Sequence, residues 1–399
     1  MGSGGNFVRY LVRPVLAALC ALALAGCLAP RDFDGGAATV RALNAPDLAT
    51  PKTVYFVTTR CDDQPTAGAP GTAEELFRKR CWEASLGNEE LHRLGYGMAD
   101  GGSIHCGTAV VSVAALSAPS DATTTIQTPI NAACGNFDPL RQAIAATPCR
   151  CALIFVHGYN TTFGYGLRRT AQLSLDLSYP GVPILFSFAA GGRLGDYVND
   201  TEAAELAAPA LHQLMIALSR NDGSGAPAID VVAHSMGGRL TLRAIDEGDA
   251  PSLRFVVMAA PDVDPAAFLR LAEKAAPHTQ RLTVYTAKYD VAMAASNSAH
   301  AGWNRTGEGL PPGVTQSIAH AEIIDATARA TDPYAHSYFA ESKVVLDDIK
   351  LALQGQGAAQ RQPLVCNPSG AAIACTIPCP PGASCGPTLY QRFVHWLFG

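Results

Sequence analysis

The sequence predicts an α/β fold: a mainly parallel sheet with helices on both faces and disulfide-rich flanks. Three observations carry this. Eight apolar, β-branched runs follow one another, and from residue 152 onward helical patterns fill the intervals. Strands that alternate with helices build a parallel sheet covered on both sides. Next, Ile229-Asp-Val-Val-Ala-His-Ser-Met-Gly-Gly238 runs straight into a helical pattern over 239–245, giving strand, sharp turn and helix with a serine at the apex. Finally, cysteines are absent between Cys151 and Cys366, so cross-links are expected to staple the flanks and leave the central sheet alone.

The N-terminus reads as a targeting segment. Arg9 and Arg13 form a basic start, and residues 15–26 are an apolar stretch too short for a permanent bilayer span. It ends in Leu24-Ala25-Gly26-Cys27, which resembles the lipobox of bacterial lipoproteins, with Cys27 as the lipidated first residue. That resemblance implies a lipid anchor in the bacterial cell envelope. Leu28 in place of aspartate implies sorting to the outer membrane, facing the periplasm. The division follows: 1–26 signal peptide, 27–51 Ala-, Gly-, Asp- and Pro-rich tether, 52–353 the main α/β domain, 354–399 linker and Cys/Pro-rich tail.

Removing Cys20 and Cys27 from the twelve cysteines leaves ten in an exported chain. An oxidising compartment makes these a disulfide framework, paired within the group before the core and the group after it. A zinc site is the alternative, weakened because no Cys-x-x-Cys spacing occurs. Net charge is −5, with no basic run that points to nucleic acid. The Asn160, Asn199 and Asn304 sequons are expected to carry no glycan in a bacterial lipoprotein.

The elements follow in order. Strands are predicted over 53–59, 107–113, 152–156, 182–188, 229–233, 253–260, 282–287 and 314–324. Residues 61–146 read as loops and early antiparallel strands. The run 152–156 is apolar throughout, as a strand buried on both faces requires. Residues 201–219 are helical, and Asp264-Pro265 places a cap before a proline at a helix start. A last helix covers 340–353, and 354–362 read as a polar linker. The closing Leu389–Phe398 segment docks on the domain or, alternatively, touches a membrane surface.

Serine is a poor nucleophile and needs a base, which itself needs an orienting acid. Ser235 sits at the elbow, with Gly237 and Ala233 supplying the small neighbours that such a turn requires. Asp290, just past the seventh run, is the candidate acid, although its position also suits a helix cap. Asp262, after the sixth run, is the rival acid. His336, in a loop before a helix, is the candidate base. Gly158 lets the backbone approach a substrate, and the amides of Tyr159 and Met236 are the candidate oxyanion hole. His157 reads as structural. The pattern calls for no cofactor and no metal.

Four stretches together resemble a bacterial family of α/β-hydrolases of the esterase/lipase superfamily: Phe155–Phe163, Ala233–Gly237, Ala259–Asp264 and His336–Ser342. Val54–Arg60 and Tyr96-Gly resemble the family's early region. The resemblance implies an α/β-hydrolase fold and a Ser-Asp-His triad. It implies hydrolysis of a small-molecule or lipid-like ester, with amide, thioester or peptide cleavage, or an inert binding lipoprotein, as alternatives. It leaves the natural substrate, the protein partners and the oligomeric state open.

Overall fold

In the computed structural model, the described residues are 50–62, 93–113, 125–135, 137–191, 196–220, 227–249, 251–300, 304–310, 318, 321–332, 334–368, 372–383 and 385–398. Cys27 and the targeting segment lie outside them. The chain opens with β1 (Thr50–Asp62) and β2 (Tyr96–Val113), an antiparallel pair, and β2 also pairs with short β3 (Thr125–Ile126) and β4 (Ile130–Ala132). Helix α1 (Asp138–Ala145) leads into β5 (Cys151–Val156), whose six residues are all buried. Then follow α2 (Phe163–Asp176), β6 (Val182–Ser187), α3 (Tyr197–Ser219), β7 (Ala228–His234) and α4 (Met236–Ile245). After these come β8 (Leu253–Ala259), α5 (Pro265–Ala275), β9 (Thr279–Thr286), α6 (Val291–Ala299) and β10 (Ala321–Asp325). The end of the chain adds α7 (Tyr338–Glu341), α8 (Lys343–Leu353), β11 (Val365–Pro368), β12 (Ile373–Thr376) and α9 (Leu389–Phe398).

One sheet runs in the order β11-β12-β10-β9-β8-β7-β5-β6-β1-β2-β3, with β4 also on β2. Every pairing from β12 across to β1 is parallel, and antiparallel pairs occur only at the two margins. The period of two along each strand explains the two-faced core. Ile154, Val156, Val231 and Ala233 point to a layer containing α1, α3, α4 and α5, while Leu153, Phe155 and Val232 point to the layer of α2, α7 and α8. Each such aliphatic or aromatic side chain contributes about 1.5–3 kcal/mol on burial, which is why β5 tolerates no polar residue.

Local chemistry starts the helices, at Asp264-Pro265 as the sequence predicts and at Thr162 by a cap the sequence reading does not include. Asp264 accepts from the Ala267 amide at 2.9 Å with Pro265 beginning α5, and Thr162 caps α2 through the Tyr165 amide. Three expectations need correction. Residues 354–362 are not a free polar linker: Arg361 is buried, donating to Glu322 at 2.7 Å and Asp348 at 2.9 Å. That buried charge pins the segment against β10 and α8, and the tail beyond it joins the sheet through β12. The predicted helix 340–353 is broken at Ser342 into α7 and α8. The cross-links also do not avoid the sheet. Cys149–Cys151 closes at the start of β5, Cys366–Cys375 bridges β11 and β12, and Cys106–Cys134 ties β2 to the chain after β4. A fourth bridge, Cys379–Cys385, lies in the tail, and Cys61 is also disulfide-bonded. Every pair seen falls within one of the two groups read from the sequence.

Candidate active site

The chain passes from β5 to β6 on one side, then returns to β7 on the other, so β5 lies between its two successors. In such sheets the crevice outside the carboxyl ends of the strands at that reversal receives ligands. The loop after β5 carries Gly158 and Tyr159, and the turn after β7 carries Ser235.

Ser235 has φ 52° and ψ −122°, a backbone shape rarely adopted by a residue with a side chain. Its surroundings hold it there. Its amide donates to the Ala259 carbonyl at 2.9 Å, and its carbonyl accepts from Gly238 at 2.9 Å and Asp262 at 3.1 Å. Small neighbours are a geometric necessity: a Cβ at Gly237 would stand 2.4 Å from the His157 carbonyl oxygen, and one at Gly158 would stand 2.8 Å from the Ser235 Cβ. Among the described residues seven non-glycines have positive φ. Four of these, Asn160, Ser235, Ala260 and Ala335, belong to the strand-end loops around the site. Strain gathered in this way marks a place where geometry is held for use.

His336 follows the strained Ala335. Its Nδ1 lies 2.6 Å from Asp290 Oδ2, and both side chains are buried. Asp332 shapes the turn, accepting through Oδ1 from the Tyr334 and His336 amides at 3.1 and 3.2 Å; burial pushes its carboxyl up. His234, directly before Ser235, stacks on Phe339, lies 4.5 Å ring to ring from His336, and bonds the His336 carbonyl through Nε2 at 3.3 Å. The two chain ends of the site are therefore joined across 102 residues.

Asp290 divides its oxygens. Oδ1 caps α6 by accepting from the Met293 amide at 3.0 Å, and Oδ2 faces His336. Asp262 is engaged elsewhere. Its Oδ1 accepts from Ser296 Oγ at 2.7 Å and pairs with Arg305 Nε at 3.1 Å, and its Oδ2 accepts from the Tyr197 hydroxyl at 2.6 Å. The structure thus brings His336 to Asp290, and sets Asp262 in a buried ion pair beside the elbow. Glu308 sits behind Asp290, bonded to Asn297; burial, with the Asp290 charge adding, raises its carboxyl to about 7.

Met236 is the first residue of α4, where an amide has no acceptor within its own helix. Tyr159 lies across the crevice, with its ring 5.4 Å from that of Tyr197. His157 is buried, its Nδ1 2.9 Å from the Gly158 carbonyl and its Nε2 3.0 Å from Ser187 Oγ, and it stacks on Phe188. Three ionisable residues near the site carry no signal in the sequence: buried Asp200 and Arg305, and half-buried Glu308. The first two are the middle residues of the Asn199 and Asn304 sequons, so the visible motif drew attention to the asparagine instead. Among the described residues no group of three or more His, Cys, Asp and Glu is placed to hold a metal ion, and no helix is long and apolar enough to cross a membrane.

The sheet order, the elbow after β7 and its place at the reversal of strand order make this chain an alpha/beta hydrolase. Residues 136–354 match the family described as alpha/beta hydrolase of unknown function (DUF900). The match spans more than half of the chain, and the protein belongs to that family. No curated protein matches the chain.

Proposed function

We propose that the protein is a serine hydrolase acting on carboxylic esters. Ser235 Oγ attacks the ester carbonyl carbon while His336 Nε2 takes its proton, and Asp290 holds the opposite ring nitrogen protonated and the ring in place. The carbonyl oxygen becomes an oxyanion facing the Tyr159 and Met236 amides, each such donor contributing about 3–4 kcal/mol in the transition state. His336 then gives its proton to the departing alkoxide, leaving an acyl-Ser235. Water repeats the sequence in reverse roles, losing its proton to His336 and releasing the acid.

The observation that carries this reading is the buried 2.6 Å contact between His336 Nδ1 and Asp290 Oδ2, at the strand end beside the strained serine. A fluorophosphonate probe should label the wild type and leave Ser235→Ala unlabelled, and a panel of naphthyl esters and anilides should show turnover of the esters. Labelling of folded Ser235→Ala would overturn the mechanism; faster turnover of the anilides would move the substrate class to amides. We further propose that Cys27 carries a lipid anchor that holds the domain on the periplasmic face of the outer membrane.

A further inference from the structure

Two buried, opposite charges hold the loop after β5, and neither belongs to the proposed triad. Asp200, in the first turn of α3, is fully buried. Its Oδ2 accepts from the Asn160 amide at 3.1 Å, and its Oδ1 accepts from the Gly191 amide at 2.7 Å. Arg60, near the end of β1, is also fully buried. It donates from Nη2 to the Thr161 carbonyl at 2.5 Å, from Nη1 to the Ala190 and Gly97 carbonyls at 3.1 and 3.2 Å, and from Nε to Ser187 Oγ at 2.8 Å. The carboxylate grips one amide in each of two loops, and the guanidinium grips the neighbouring carbonyl in each. The loops 159–161 and 190–191 are clipped together from both sides.

The donor count makes the charge necessary. Two amide N–H groups need two acceptor oxygens, which a carboxylate has and a carboxamide lacks. Asn160 stands at φ 56°, a conformation that persists when its surroundings over-determine it. Its amide belongs to the peptide plane directly after Tyr159, and the plane before it, which carries the Tyr159 N–H, has its Gly158 carbonyl 2.9 Å from His157 Nδ1; with both planes anchored, the Tyr159 backbone between them loses its freedom to turn the N–H away.

We infer that Asp200 and Arg60 are positioning residues that keep the Tyr159 amide aimed at the oxyanion formed on Ser235, and that protonation of Asp200 releases that amide. The inference rests on the ester-hydrolase reading above. The groups facing Asp200 are Arg60 from β1, the Asn160 and Gly191 amides, the Asp196 carboxylate before α3, and the Tyr159 phenol. Burial, with Asp196 adding, pushes the Asp200 carboxyl up to about 6, against the pull of the two amides and Arg60. Above that pH the carboxylate holds both loops. Below it, one oxygen carries a proton that must face an amide N–H, and one grip is lost.

The test measures turnover of 1-naphthyl acetate between pH 4.5 and 8, counted per serine titrated with a fluorophosphonate. Asp200→Asn should lower kcat by about 10–100-fold with KM within about threefold, the signature of a contact made in the transition state. The acid limb of log(kcat/KM) should be steeper than one below about pH 6 in the wild type, by the extra fall of about 10–100-fold that protonation of Asp200 adds to that of His336, and should keep a slope of about one in the variant. Wild-type kcat and an unchanged acid slope in Asp200→Asn, with Ser235→Ala inactive, would overturn the inference and leave the hydrolase reading standing. Turnover by Ser235→Ala would instead sink that reading itself. If Asp200→Asn does not fold, the wild-type acid limb decides: a stretch steeper than one below about pH 6 supports the inference, and a slope of one throughout overturns it.

Discussion

Replacing Asp290 by Asn tests the triad with little disturbance of the fold, because the two oxygens of Asp290 have separate tasks. Oδ1 caps α6 through the Met293 amide, and Asn is as good a capping residue as Asp. Only the atom facing His336 changes, from an acceptor oxygen to a donor NH2. His336 Nδ1 must then act as an acceptor, so its single ring proton moves to Nε2, the nitrogen required to be bare for deprotonating Ser235. A tautomer error of this kind costs on the order of 10⁴ in kcat, or about 5 kcal/mol of transition-state stabilisation. Asp262→Asn has the opposite profile. It weakens a buried pair with Arg305, and breaking such a pair costs about 3–5 kcal/mol of stability, which is roughly 5–8 °C in Tm for a domain of about 300 residues. The assay pairs kcat on 1-naphthyl acetate with a thermal melt for both variants. Asp290→Asn should melt close to the wild type with almost no turnover, and Asp262→Asn should melt early yet turn over when folded. An Asp290→Asn enzyme that keeps more than about a tenth of wild-type kcat would refute the assignment.

Further outcomes follow from other contacts. Gly158→Ala would drive a methyl to 2.8 Å from Ser235 Cβ and 3.1 Å from His234 Nδ1; kcat should fall by at least about 100-fold as the oxyanion loop is pushed off the serine, measured on the same ester. Removing the Cys106–Cys134 bridge, whose partners are 28 residues apart, should cost about 3–4 kcal/mol in denaturant unfolding, whereas removing Cys149–Cys151 should cost no more than about 1–2. Cys27→Ser should move the protein to the soluble periplasmic fraction or leave the leader uncleaved; unchanged membrane fractionation and mass would count against the lipid anchor.

The centre of the molecule was legible because its physics is local. The apolar run that became β5 could be read as buried on both faces, and the small residues around Ser235 could be read as a tight elbow. The margins were not legible, since their structure depends on distant partners. Gln354 to Gln362 is polar enough to pass for a linker, and nothing in its own composition reveals that Arg361 meets Glu322 and Asp348 inside the domain. The closing segment supports two readings from its sequence for a similar reason. In the structure its Gln391, Val394 and Leu397 turn inward, with Gln391 bonding the Asp332 carbonyl in the loop that carries His336, while Leu389, Tyr390, Phe393 and Trp396 face out. Arg60 closes the Val54–Arg60 stretch, but its role needs carbonyls from β2 and from two separate loops.

The choice between the two aspartates shows where sequence order stops being informative. Both stand just past a parallel strand, and both are buried, so position and burial cannot separate them. What separates them is who else claims each carboxylate. Asp262 is occupied by Tyr197, Ser296 and Arg305, residues drawn from three other parts of the chain, and no free oxygen remains for an imidazole. Asp290 meets one demand from its own helix and has the other oxygen to spare. The capping role and the acid role, which compete when only the sequence is read, are complementary in space. The cap fixes the rotation of the carboxylate, and that rotation presents Oδ2 to His336. On this argument the cap is part of the proposed machinery: a residue at 290 that orients the imidazole without capping α6 would have to recover the same aim by other contacts.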